Sequence, residues 1–193
     1  MLRMVCFTVC GIRLRIAFTA PFLLGVLSLA LPPEQLWKTL LACGLHEAAH
    51  LAAVYLTGQR ADSLTVSAAG MQLTVRRGTL CPLRAYTPIL LSGPLMNLLA
   101  GIVCHLLGMH PAAVCNVSLA AFNLLPFKGT DGGTLLRMLL TEKCMAHAAE
   151  AEHTARVLAL CAAMMILLVM HCTDTVNLSL LVMTVYLSAA EFF

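Results

Sequence analysis

The stretch His46-Glu47-Ala48-Ala49-His50 lies inside an apolar segment that extends from Leu36 to Leu56. On a helix its two histidines, four residues apart, project from one face, and the glutamate lies beside them. This is the HExxH pattern, which can hold a metal ion and activate a water molecule. Ionisable side chains are costly in such an apolar segment, so three of them close together indicate a functional site. The alternative is a chance match whose histidines bond neighbouring backbone groups.

The composition is that of a membrane protein that crosses the bilayer several times. Of the 193 residues, 60% are hydrophobic and 11% are charged, and the mean hydropathy is +0.89. The nine cysteines do not indicate a disulfide framework, because the number is odd and no Cys-x-x-Cys pair occurs. They are expected to be small apolar fillers. The net charge of +3 is small and the basic residues are scattered, which argues against nucleic acid as a partner.

The hydrophobic pattern predicts an α-helical polytopic membrane protein of one domain, residues 1–193, with about six transmembrane helices. Alternating residues at about 62–76 predict a small β-sheet or hairpin at the membrane surface. Residues 1–16 are typical of a short strand or an interfacial segment, and a further helix is predicted at about 134–149. The predicted spans are residues 17–31, 36–56, 85–107, 112–125, 155–171 and 176–190.

The distribution of basic residues predicts the orientation in the membrane. If the N-terminus is cytosolic, every Lys and Arg except Lys38 falls on the cytosolic side of the predicted spans. Such an asymmetry is the usual signature of topology in membrane proteins. Both termini, the hairpin and the segment around Asp131 are therefore predicted to be cytosolic.

A third metal ligand is needed beside His46 and His50, because a catalytic zinc usually takes three protein ligands and leaves one position for water. Asp131 is the candidate, since the cytosolic end of the predicted fourth span can lie beside the second span. Gly132 and Gly133 would let the backbone approach a metal closely. The alternative is that Asp131 only caps the helix that opens at Gly132.

Two further segments accompany the HExxH stretch in chain order: Ser92-Gly93-Pro94-Leu95-Met96-Asn97, and Asn123-Leu124-Leu125-Pro126 followed by Asp131-Gly132-Gly133. Over about residues 12–138, these three motifs resemble the site-2 protease family of intramembrane zinc metalloproteases. The arginine-bearing segment before the first span and the six predicted spans without an inserted PDZ domain most resemble the sporulation branch of that family. The branch matures an inactive sigma-factor precursor in endospore-forming bacteria.

The resemblance implies an enzyme, an intramembrane metalloendopeptidase with one Zn²⁺ per chain. His46, His50 and Asp131 would be the zinc ligands, and Glu47 would be the acid/base that takes a proton from the attacking water. Asn123 is a candidate for holding the substrate backbone or the developing oxyanion, with interhelical hydrogen bonding as the alternative.

Gly93 and Asn97 are two further candidates for substrate contact. Together with Gly101 they are spaced four apart and form one small-residue face on a helix. Such a face allows close helix packing, which is the alternative to substrate contact.

The expected partners are a membrane-associated protein substrate, membrane lipids and an inhibitory or regulatory membrane protein. The expected process is regulated intramembrane proteolysis, with cleavage near the cytosolic face of a bacterial inner or cell membrane. There are two alternative functions. A metal transporter would use the same His/Glu/Asp cluster as a transit site, and a catalytically inactive relative would retain the cluster without activity. Spans one, five and six are almost free of the polar groups that a transport path needs, and no ligand or base is lost, so both alternatives are disfavoured.

Overall fold

A computed structural model describes residues 4–9, 12–18, 21, 24–25, 28–29, 32–58, 61–67, 70–75, 83–143, 148–172, 184–185 and 188–189. The chain forms two compact units, Met1–Ala120 and Ala121–Phe193. The predicted first and sixth spans, residues 17–31 and 176–190, lie largely outside the described residues. The single domain and the number of six spans therefore stay predictions.

The first unit contains a four-stranded sheet, so the predicted small sheet is confirmed and is larger than expected. The N-terminal segment, predicted to be one short strand or an interfacial segment, forms two antiparallel strands. The second and third strands pair in parallel, and the third and fourth form the predicted hairpin. In spatial order the strands are β1 (Met4–Val9), β2 (Ile12–Ala17), β3 (Ala61–Ser67) and β4 (Gly70–Val75).

Parallel pairing of β2 with β3 needs a long crossover, and the chain between them contains the helix α1, Pro33–Leu56. Pro33 is the first helical residue, where a missing N–H costs nothing. An ion pair of 2.6 Å between Glu34 and Lys38 lies in the first turns. Gly58 follows the helix at a φ of +71°, a left-handed conformation that favours glycine at a helix end.

Two more helices follow the sheet: α2 (Leu83–Leu106) and α3 (His110–Asn123). Close packing of α2 on α3 is seen at Gly101, where an added Cβ would lie 2.7 Å from Cγ2 of Val117. The 14 residues of α3 correspond to about 21 Å, which is shorter than the roughly 30 Å apolar core of a bilayer. The predicted fourth span therefore coincides with a real helix, but its role as a full span stays a prediction.

The second unit contains α4 (Asp131–Lys143) and α5 (Ala148–Cys172). The helix predicted at about 134–149 thus begins three residues earlier, and its described part ends at Lys143. Phe127, fully buried, packs with Ala159 and Ala163 of α5. Arg137 of α4 pairs with Glu152 of α5 at 3.4 Å, so charge and apolar contact together join the elements of this unit.

Three helices of the described chain are long and apolar enough to cross a membrane: α1, residues Tyr86–Leu106 of α2 and residues Glu150–Leu168 of α5. Large apolar side chains on α2 remain more than half exposed, among them Leu95 and Ile102. A continuous face of this kind is unfavourable in water and favourable against lipid tails. These features indicate an integral membrane protein.

Candidate metal centre

Helix α1 brings His46 and His50 together as their spacing predicts. Their Nε2 atoms are 3.1 Å apart, and the ring centroids are 4.7 Å apart with the planes nearly perpendicular. Both side chains are buried, with exposed fractions of 4% and 6%. Two buried imidazole nitrogens this close can bind the same metal ion, together with other ligands.

His50 is oriented by a hydrogen bond to the neighbouring helix. Its Nδ1 lies 2.7 Å from the backbone oxygen of Ile89, so Nδ1–H is the donor and the carbonyl is the acceptor. The Ser92 hydroxyl donates to the same carbonyl at 2.7 Å and lies 3.3 Å from Nδ1. With the proton on Nδ1, the lone pair of Nε2 is available to a metal, which is the usual arrangement of a histidine ligand and its outer partner.

Gly93 of α2 lies directly against this pair of imidazoles. A Cβ built on Gly93 would stand 2.7 Å from Cε1 and from Nε2 of His46 and would also overlap Nε2 of His50. Real Cβ atoms do not approach other atoms this closely, so only glycine lets the α2 backbone reach the nitrogens. The structure thus places Gly93 beside the candidate metal ligands, in a close helix contact of the kind that was predicted as the alternative to substrate contact.

Glu47 is partly buried and lies between the two histidines on α1. A glutamate at this position of an HExxH helix is beside the metal position without being one of its histidine ligands. It has the chemistry of a general base, because a carboxylate can accept a proton from water and later release it.

Asp131 is the first residue of α4, and the cap of that helix is the preceding residue, Thr130. The backbone N–H of Gly133 donates to Oγ1 of Thr130 at 3.1 Å. The Thr130 hydroxyl in turn lies 2.5 Å from the oxygen of Leu125 and 2.9 Å from that of Phe127. The capping role considered for Asp131 is therefore filled by Thr130. A carboxylate in the first turn is also favoured there by the helix dipole.

The two glycines after Asp131 pack closely against the turn before α4, and the close backbone approach to a metal that the sequence suggested stays a prediction. A Cβ on Gly132 would overlap the backbone of Leu124, and one on Gly133 would overlap the backbone of Phe127. The turn before α4 thus folds back onto the start of the helix, and only glycine leaves room for it.

His46, His50 and Asp131 could together hold a metal ion, since one ligand atom from each lies within 4.8 Å of the others. It is the one such group of three among the residues that the structure describes. Two imidazole nitrogens and one carboxylate oxygen form a donor set known from catalytic zinc sites, with the fourth position left to water. The donor chemistry of these three residues fits a zinc ion.

The other predicted site residues lie on α2 and α3. Asn97 is completely buried one turn after Gly93. Asn123 is the last residue of α3 and is partly buried. The sequence assigned no role to Ser92 or Thr130, although a Thr directly before a helix start is a recognisable capping signal.

Fold and site together define a class: an integral membrane protein with two histidines and an aspartate that could hold a metal ion. Residues 105–170, which include Asp131 but not the HExxH stretch, match the model of Peptidase family M50. The structure is similar to the Site-2 Protease from Methanocaldococcus jannaschii with a TM-score of 0.69 and 19% sequence identity, covering 98% of this chain and 94% of that chain. No curated protein sequence matches the chain significantly.

Proposed function

We propose that this chain is an intramembrane zinc metalloendopeptidase that cleaves a membrane-associated protein substrate near the cytosolic face. The observation that carries the proposal is the cluster of His46, His50 and Asp131, because its donor set leaves room for water. Glu47 lies on the same helix as the histidines and supplies a base. The match of residues 105–170 to a peptidase family and the similarity of fold support the proposal.

Each residue of the site has a separate role in the proposed peptide hydrolysis. A zinc ion held here would lower the pKa of water and polarise the scissile carbonyl. His46 and His50 would hold the ion through Nε2, and the Ile89 carbonyl keeps the His50 ring in the tautomer that this requires. Glu47 takes the proton of the attacking water and delivers it to the leaving amine, as a general base and then a general acid.

Substrate handling requires an extended backbone, because a transmembrane helix hides its carbonyls in its own hydrogen bonds. β4 (Gly70–Val75) is an edge of the described sheet and can accept such a segment as an additional strand. Proline at alternate positions of β4 would remove the N–H groups that pair with the substrate. Cleavage should fall while the zinc content stays unchanged, and unaffected cleavage would exclude this mode of binding.

The finer assignments belong to the same proposal. Placement in the sporulation branch, with a sigma-factor precursor as substrate in a bacterial membrane, is proposed from the arginine-bearing N-terminal segment and the six predicted spans. The cytosolic position of both termini is supported by the distribution of Lys and Arg. Asn123 is proposed to hold the substrate backbone, and an inhibitory or regulatory membrane protein is a proposed partner.

The test compares four variants of the purified full-length protein. Glu47→Gln should retain zinc and lose cleavage by at least about 10²-fold, because the amide cannot accept the proton. His50→Ala and Asp131→Ala should lose both zinc and cleavage. His105→Ala is a matched control, since His105 lies exposed near the end of α2 with its ring 5.2 Å from that of His110.

Zinc is measured by elemental analysis. Cleavage is measured on a sigma-factor precursor and on a single-span test polypeptide with Gly-Pro in its transmembrane segment. A Glu47→Gln protein that still cuts at the wild-type rate would refute the proposal. Stoichiometric zinc without cleavage of either substrate would favour the inactive relative, and zinc passage across vesicles would favour the transporter.

A further inference from the structure

Asn97 is a polar side chain enclosed in the interior of a membrane protein. Its exposed fraction is 0%. Neither Nδ2 nor Oδ1 has a hydrogen-bond partner in the part of the chain that the structure describes. Buried amides are almost always hydrogen-bonded, because a low dielectric makes a missing bond costly. The amide of Asn97 is therefore available to a polar group that enters its surroundings.

The position of Asn97 identifies that group. It lies four residues after Gly93, on the same face of α2, and side chains on a helix lean toward the preceding turn. The preceding turn is that of Gly93, which has no side chain and contacts the Nε2 atoms of His46 and His50. Asn97 is thus one turn from the backbone that contacts the candidate metal-binding nitrogens, on the same face of α2.

The same enclosed space must admit the reacting part of the substrate. The imidazoles of His46 and His50 are themselves buried, so a scissile peptide bond that reaches a metal between them enters the interior beside Gly93. Its carbonyl oxygen would then lie on the face of α2 that carries Asn97 one turn away. That oxygen gains negative charge when water adds to the carbonyl carbon, and it then becomes a stronger hydrogen-bond acceptor.

We propose that Asn97 is a further catalytic residue whose Nδ2–H group donates a hydrogen bond to the scissile carbonyl oxygen as it becomes an oxyanion. This inference rests on the proposed function. In the first step a water oxygen bonds to the carbonyl carbon, the C=O π pair moves onto the carbonyl oxygen, and Glu47 takes the water proton. In the second step the C=O bond re-forms, the C–N bond breaks, and that proton passes to the nitrogen. Asn97 gains or loses no proton and acts only through its dipole.

Asn116 of α3 offers a matched control. It is also a buried asparagine, with an exposed fraction of 7%, but its Nδ2 donates to the Ala112 oxygen of its own helix at 2.9 Å. One N–H of its Nδ2 is therefore already engaged locally, whereas its Oδ1 has no hydrogen-bond partner in the part of the chain that the structure describes. Truncating either asparagine to alanine removes the same atoms from an interior helix. An effect seen only in Asn97→Ala therefore comes from the position of that amide and not from the loss of a buried amide in general.

The experiment uses the full-length, zinc-loaded protein in detergent micelles. Cleavage of the single-span Gly-Pro polypeptide gives kcat and KM. Calorimetry gives the Kd of a dialanine phosphinate, whose tetrahedral anionic group resembles the intermediate. Zinc content and Tm are recorded for each variant. Asn97→Ala should lower kcat by about 10²-fold with KM within about twofold, and should raise the phosphinate Kd by a similar factor. Zinc content should be unchanged, and Asn116→Ala should match the wild type in every catalytic measure.

Each other outcome overturns the inference in a recognisable way. Wild-type kcat and phosphinate affinity in Asn97→Ala would show that the amide does not meet the oxyanion. Loss of zinc together with activity would make Asn97 a structural residue. If Asn97→Ala does not fold, Asn97→Ser, which keeps a small polar group, carries the same measurements. A wild-type protein without zinc-dependent cleavage would overturn the proposed function itself, and this inference with it.

Discussion

Replacing Gly93 by alanine should weaken metal binding, and the structure gives the size of the effect. The new methyl would stand 2.7 Å from Cε1 and Nε2 of His46. Comfortable carbon contacts begin at about 3.5 Å, so the ring must retreat by roughly 0.8 Å. Metal sites tolerate distance errors of only about 0.2 Å. We therefore expect the zinc Kd to rise by at least about 100-fold, which corresponds to about 2.8 kcal/mol.

The sign of the effect separates this reasoning from ordinary helix energetics. Within a helix, Gly→Ala stabilises by about 1 kcal/mol when the methyl has space. Gly44 of α1 is such a position, because nothing lies within 4 Å of its added Cβ. Gly44→Ala should thus keep wild-type zinc affinity and should not lower Tm. Gly93→Ala should lose zinc affinity despite the same gain in helix propensity.

The assay is a competition titration of zinc between the purified protein and a fluorescent chelator, repeated for both variants and the wild type. Thermal unfolding with and without zinc shows whether each variant is folded before its affinity is interpreted. Wild-type zinc affinity in a folded Gly93→Ala protein would refute the reasoning, because it would mean that the imidazoles do not need the surface of α2.

Two further substitutions test the packing around the centre. Gly101→Ala should lower Tm, because its methyl would meet Val117 at 2.7 Å, but it should leave zinc affinity unchanged; a fall in zinc affinity would show that this helix contact also positions the ligands. Thr130→Val should destabilise the protein by about 1 kcal/mol through loss of the α4 cap and should also weaken zinc binding, since Asp131 begins that helix. Denaturant unfolding and the same zinc titration check both effects, and an unchanged stability would contradict the assignment of the cap.

Local patterns predicted much of the architecture. The spacing of His46 and His50 anticipated their common helix face, and the alternation at residues 62–76 anticipated the hairpin of β3 and β4. Both depend on neighbours in sequence, where helix and strand periods differ clearly. The parallel pairing of β2 with β3 could not be predicted in this way, because it joins residues about 50 positions apart.

The candidate site was predictable in its residue types but not in its supporting contacts. The HExxH stretch indicated two candidate ligands and a candidate base. The role of Gly93 appeared only in three dimensions, because a close approach between α1 and α2 leaves no periodic signal. The structure places the helix cap at Thr130, one residue before the Asp131 that the sequence suggested. Both residue types are good caps, so the sequence alone does not choose between them.

The link between α1 and the sheet is short, so a displacement of the sheet would be transmitted to the helix that carries the two imidazoles. Residues 57–60 alone separate the end of α1 from the start of β3, and four residues can extend to no more than about 14 Å. A force that displaces β3 therefore pulls on the helix end that lies one to two turns from His50. A polypeptide that pairs with these strands and pulls on them would therefore also distort the arrangement of the residues that would bind the ion.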